Sequence, residues 1–266
     1  GFVENLVIRH SGSGGVGRAV VIASNGIVGL RNVEFSDSRG NSALLHVEGE
    51  AFGQNCVYLA DVDFANNSSN AALVWIGPGL RNSVSQPWCW FQRGRFTSNT
   101  AIGTIFRYSA DERYFPAREL EFRGNMASSL IYNAAAGFSE TTTLEFCNAL
   151  FVGNRGEIRS DAAGHTLFRN CTFYGNASNL AAAGTSRISL RNSIVWDDNL
   201  AITQVFAGIV RADYTDINSP YSGVGEGNMN TNPLFADAAC GDFRLLRVSP
   251  CIDAGETNAE YANEPE

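Results

Sequence analysis

The chain has 266 residues, 44% of them apolar, and a formal net charge of −8, with arginine supplying all 19 basic residues. That balance excludes the basic stripe of a nucleic-acid binder, and the lack of lysine excludes a lysine base or Schiff base. No apolar run is long enough to cross a bilayer as a helix. The six cysteines show no zinc spacing, so no structural metal or cofactor is expected.

The elements repeat from the N-terminus onward, and the repeat is the main signal. A loose copy, Val3-Glu-Asn5-Leu-Val-Ile8, is followed by Leu30-Arg-Asn32-Val-Glu-Phe35, Leu59-Ala-Asp61-Val-Asp-Phe64 and Phe91-Gln-Arg93-Gly-Arg-Phe96. Ala117-Arg-Glu119-Leu-Glu-Phe122, Phe146-Cys-Asn148-Ala-Leu-Phe151, Phe168-Arg-Asn170-Cys-Thr-Phe173 and Leu190-Arg-Asn192-Ser-Ile-Val195 continue it. The anchors at 8, 35, 64, 96, 122, 151, 173 and 195 are 27, 29, 32, 26, 29, 22 and 22 residues apart. A helical repeat would hold its length and a 3.6 period; here a fixed coil carries loops of differing length.

In each copy the first apolar residue, the small residue after the Asn and the final Phe are expected to point inward. That departs from simple alternation, so the strand must bend at the Asn, a residue that tolerates the left-handed region. Stacked one turn apart, Asn32, Asp61, Asn148, Asn170 and Asn192 are expected to form a hydrogen-bonded ladder. Arg93 and Glu119 interrupt it, so those two copies should turn differently. The second Asn of the motif (Asn99, Asn125, Asn154, Asn176) falls in the next turn, where it can satisfy backbone groups. A further short strand follows each turn, as in Ala43–Val47, Ala72–Ile76 and Gly103–Arg107. Together these predict an all-β, right-handed parallel β-helix of about eight rungs over 1–217. A C-terminal cap over 218–255 and a disordered acidic tail over 256–266 complete it.

The Phe-x-x-Asn copies resemble those of polymorphic outer-membrane proteins. The ending is similar to that of secreted bacterial right-handed β-helix repeat proteins of pectate-lyase-like fold. It comprises Asn192–Asn199, Asp213-Tyr-Thr-Asp-Ile217, Gly227–Asp237 and Gly241-Asp-Phe-Arg-Leu245 through Ser249-Pro-Cys-Ile-Asp-Ala-Gly255. The resemblance implies an extracellular or cell-surface protein. It leaves function open, because such proteins include lyases and adhesins. The chain starts within strand-like residues without a signal peptide, which reads as part of a longer protein.

Alternation on the second strand places Ile22, His46, Trp75, Phe106, Tyr132 and Arg159 outward. These would form a stripe whose aromatic faces suit sugar rings or a protein partner. On this reading the chain is a non-catalytic module for adhesion or for binding a polysaccharide or surface protein, with His46, Trp75, Phe106 and Tyr132 as contacts. The alternative is a polysaccharide lyase or glycoside hydrolase using Arg159, Glu157, Asp161 and His165, with Ca²⁺ as its cofactor if a uronate is the substrate. Asp111, Glu112 and Arg113 form a second charged loop. Asp197, Asp198 and Asn199 make an acidic turn suited to Ca²⁺ or, more simply, to capping. Cys240 and Cys251 are the best disulfide candidates, Cys56 and Cys89 could also bridge, and Cys171 reads as a small buried hydrophobe.

Overall fold

The computed structural model describes residues 2–9, 20–24, 27–49, 56–77, 89–110, 114–134, 142–197, 201–218 and 221–256, with only the backbone at 20–24, 27, 28 and 49. Nearly every described element is a strand; the exception is a short 3₁₀ turn, Ala238–Cys240. Two large sheets hold the structure, and all strand pairs in both are parallel.

The first sheet opens with three long strands, Phe2–Arg9, Ile27–Ser36 and Cys56–Ala65. Beyond them each copy of the repeat divides at its corner into two short strands. One branch runs from Trp90–Gln92 to Ile209–Asp213, the other from Arg95–Thr97 to Asp216–Ile217. The second sheet is built from the strand after each turn, from Val20–Ser24 and Leu45–Gly49 to Asn179–Gly184 and Ala201–Phe206. Successive copies of the motif pair with one another in register, a layout consistent with a parallel β-helix.

The corner residue is left-handed in every copy: Asn5, Asn32, Asp61, Asn148, Asn170 and Asn192 have φ between 47° and 56°. Arg93 (52°) and Glu119 (55°) adopt the same conformation, so the expectation that they turn differently is corrected. The backbone geometry is imposed by the paired copies on either side, and it overrides the penalty of about 1 kcal/mol that a larger L-residue carries there. A ninth copy, Ala212-Asp-Tyr214-Thr-Asp-Ile217, has the same inward pattern and the same bend, with Tyr214 at φ 49°.

The core follows from the motif. Phe35, Phe64, Phe96, Phe122, Phe151 and Phe173 form one column of stacked rings with centroids 4.5–4.9 Å apart. Phe91, Phe146 and Phe168 meet that column edge-on. Cys171 is buried as expected, and burial pushes its thiol pKa up.

A second asparagine column carries a continuous hydrogen-bonded ladder that was not anticipated from the sequence. In the corner column Asn32 donates to Asn5 at 2.7 Å, and these side chains are largely exposed. Between Asp61 and Glu119 the column uses charge: Arg93 donates to both oxygens of Asp61 at 2.7 and 2.9 Å. Asn148, Asn170 and Asn192 occupy the same left-handed corner, and Asn192 accepts from the Glu256 backbone N–H. The continuous ladder is the buried second column. Asn67 donates through backbone and amide to Asn99 Oδ1, Asn99 to Asn125, Asn125 to Asn154 and Asn154 to Asn176, all at 2.9–3.0 Å. Each amide also donates to the carbonyl of an anchoring phenylalanine, as Asn125 does to Phe96 at 2.7 Å. Asp197 ends the ladder by accepting from Asn176.

Residues 221–256 cover the last copy. Backbone bonds from Ala212 to Val224, Tyr214 to Glu226 and Ile217 to Met229 take up edge groups of its strands. Phe235 and Phe243 pack on Tyr174. The expected Cys240–Cys251 disulfide is not formed: Cys240 is exposed, while the Cys251 thiol donates to Asp216 at 3.1 Å. Burial and the Asp216 carboxylate push that thiol up to about 12. Cys89 accepts from the Val57 backbone N–H rather than facing Cys56 across a bridge.

Candidate functional site

The outward column of the second sheet is the candidate surface, and its register differs by one residue from simple alternation. Cα pairing runs Val21–His46–Trp75–Arg107–Tyr132–Arg159. Arg107, not Phe106, occupies the outward place, and Val21, not Ile22, pairs with His46. Phe106 is fully buried against Phe91, Phe96 and Phe146 and is withdrawn as a contact residue. The cause lies at Gly103. The N–H groups of Gly103 and Thr104 both donate to Ala71 O at 3.1 Å, a bulge that inserts one residue and flips the alternation beyond it. A Cβ at Gly103 would sit 2.5 Å from that oxygen, so the bulge requires glycine.

Stacking in register changes what the column presents. His46 is buried, and its ring lies 4.1 Å from Trp75 at 6° between planes. On the other side the Arg107 guanidinium sits 4.8 Å from the Trp75 centroid and 5.6 Å from that of Tyr132. Both faces of Trp75 are therefore occupied, and the column shows ring edges and polar termini instead of open aromatic faces. Trp75 Nε1 donates to Ser109 at 2.7 Å. Tyr132 donates to Asp161 at 3.0 Å, and its phenol is raised by burial and by that carboxylate. Arg107 Nε is buried with no hydrogen-bond partner.

The chain was compared with known proteins. It matches no family model, no curated protein and no solved structure. Its chemistry is therefore read from geometry alone.

Of the four residues of the enzymatic alternative, three come together and one does not. Arg159 Nε donates to both Asp161 oxygens at 2.9 Å, and its guanidinium lies 3.6 Å from Glu157. The hydrogen bond to Asp161 raises the arginine pKa further, the opposite of what a proton-abstracting arginine needs. His165 belongs to the first sheet, where Nε2 lies 2.9 Å from Ser189 Oγ and Nδ1 3.5 Å from Thr143 Oγ1. Burial, with Arg187 and Arg191 nearby, lowers it to about 4, so it is neutral at pH 7.

Sequence reasoning missed a polar cluster on the outer face of the first sheet. Glu145 is buried there between Tyr114, which donates to it, and Arg169 at 3.3 Å. Burial first, then that carboxylate, raises Tyr114 to about 12. The signal was available: Thr143, His165, Arg187 and Ile209 are each 22 residues apart, the length of the last repeats. Among the described residues no three His, Cys, Asp or Glu side chains are grouped to hold a metal ion. Asp197 is already an acceptor in the ladder, and Asp198, Asn199, Asp111, Glu112 and Arg113 lie outside the described residues.

Proposed function

We propose that the chain is a right-handed parallel β-helix of a secreted or cell-surface protein, with nine rungs and a cap over residues 221–256. In this reading it is a non-catalytic binding module for a polysaccharide or a surface protein. The fold part is supported by in-register parallel pairing, by the left-handed corner in every copy and by the bonds that close the last edge.

The observation that carries the binding part is the column Trp75–Arg107–Tyr132–Arg159. Each member is already stacked or paired with its neighbours, which fixes it before a ligand arrives. Such a ridge offers an indole edge and guanidinium groups along a line. A hydroxyl-rich polymer lying along the sheet could accept from these groups, as could carbonyls of a protein partner. The same pairing argues against proton transfer, because Arg159 is held charged between Glu157 and Asp161.

Retention on insoluble polysaccharides, with neutral sugar in the buffer as competitor, tests the reading. Arg107→Ala is expected to weaken retention about tenfold, the loss of one charge-assisted hydrogen bond. Unchanged retention would remove the column as the contact surface. Incubation with the same polymers should yield no unsaturated or reducing ends. Turnover abolished by Arg159→Ala would replace the binding reading with the lyase or hydrolase one.

A further inference from the structure

The outer face of the first sheet carries a second surface that the proposed binding column does not use. Parallel register sets its side chains in a grid: Thr143 and Glu145 on one strand, His165 and Arg169 on the next, then Arg187, Ser189 and Arg191, then Arg211 and Asp213. Four guanidinium groups here face two carboxylates, although the chain as a whole is acidic. Arg169 is paired with Glu145, and Arg211 with Asp213 at 2.6 and 2.7 Å. Arg187 and Arg191 have no ion pair among the described residues.

Arg187 is exposed and borders an open cleft of about 270 Å³, lined with it by Ala163, His165 and Thr185. Arg187 is the member that offers donors to a ligand oxygen. The guanidinium offers a fork of donors that matches a carboxylate or sulfate edge. His165 holds Ser189 and Thr143 with its two ring nitrogens, so its position is fixed. Thr185 Oγ1 donates to Ala162 O at 3.0 Å, which orients the hydroxyl at the rim.

We infer that this cleft is an oxyanion site, in which Arg187, backed by Arg191, holds a carboxylate or sulfate group of a ligand. The inference stands apart from the column on the second sheet and would survive its failure. The behaviour of His165 agrees with it. The strands packed on His165 present Glu145 on one side and Arg187 and Arg191 on the other, with Arg169 on its own strand. Burial first, and then the charges of Arg187 and Arg191, keep the imidazole neutral. A bound anion would offset them, so it should raise the pH at which His165 protonates.

Nuclear magnetic resonance of the 266-residue chain, with labelled arginine and histidine side chains, tests this. Sodium sulfate and sodium acetate are titrated against sodium chloride at equal ionic strength. A saturable shift of Arg187 Nε and the His165 ring, together with a raised His165 titration midpoint, is expected with sulfate, acetate or both. Which salt acts identifies the group the cleft prefers. Arg187→Gln should weaken that response about tenfold or more, and Arg191→Gln should weaken it less. Arg107→Ala, on the other sheet, should leave it unchanged. Shifts that chloride reproduces, or that persist in a folded Arg187→Gln variant, would overturn the site.

Discussion

Two columns of polar residues run along this molecule, one at the bend within each motif and one at the turn after it, and they do different work. The bend column is chosen for backbone conformation. Asn32, Asp61, Arg93, Glu119, Asn148 and their counterparts share a left-handed φ, sit largely at the surface and vary in chemistry. The turn column is chosen for hydrogen bonding. Asn67, Asn99, Asn125, Asn154 and Asn176, bounded by Ser38 and Asp197, are buried and alike, because each must donate forward to the next residue and sideways to a phenylalanine carbonyl. Where water can satisfy a group, the sequence drifts; where burial makes an unpaired group expensive, it cannot.

The sharpest way to break this comparison is Asn125→Ala. It removes two donor bonds from the Asn125 amide and the acceptor used by the Asn99 backbone and amide, leaving buried groups unpaired on both sides. A loss of about 3–5 kcal/mol in unfolding free energy is expected, measured by urea denaturation with the m-value unchanged. A loss below about 1 kcal/mol would mean that the ladder is ornamental to stability.

The same substitution in the bend column, Asn148→Ala, keeps every buried bond. It costs only the poorer fit of alanine to the left-handed region, about 1 kcal/mol at an exposed position with φ 54°. If Asn148→Ala equalled Asn125→Ala in cost, the division of labour between the columns would be wrong.

These columns also show what the sequence made legible. The phenylalanine anchors and the bend were readable because Phe and Asn recur at fixed places in most copies, and the structure stacks those rings as expected. Both asparagine columns were visible too, yet the buried ladder of the second was not foreseen. The spacing of residues in sequence does not say which turn is buried, and burial decides where amides must pair. The ninth copy was hidden because Tyr214 replaces Asn and Ile217 replaces Phe. The outward stripe was misread at two strands, at Phe106 and at Ile22. Alternation counts residues evenly, while the bulge at Gly103 depends on a contact with Ala71 one turn away. The cationic cleft was missed since Arg187 and His165 become neighbours only when strands 22 residues apart are paired.

The smallest predicted effect runs in the opposite direction. Glu119 holds φ 55° on an exposed bend, where neither a buried bond nor a core contact repays the unfavourable conformation. Its carboxylate receives only long bonds from Gln92, at 3.4 and 3.5 Å. Glycine enters the left-handed region without a Cβ clash, but it also frees the unfolded chain, so the two effects partly cancel. Glu119→Gly is expected to stabilise the fold by up to about 1 kcal/mol, which thermal unfolding at fixed pH would register as a small rise in Tm. Asparagine at 119 should give a similar gain with less entropy cost, since it tolerates the same φ. If both variants destabilise, Glu119 is held by more than its backbone, and the bend column is not the permissive one.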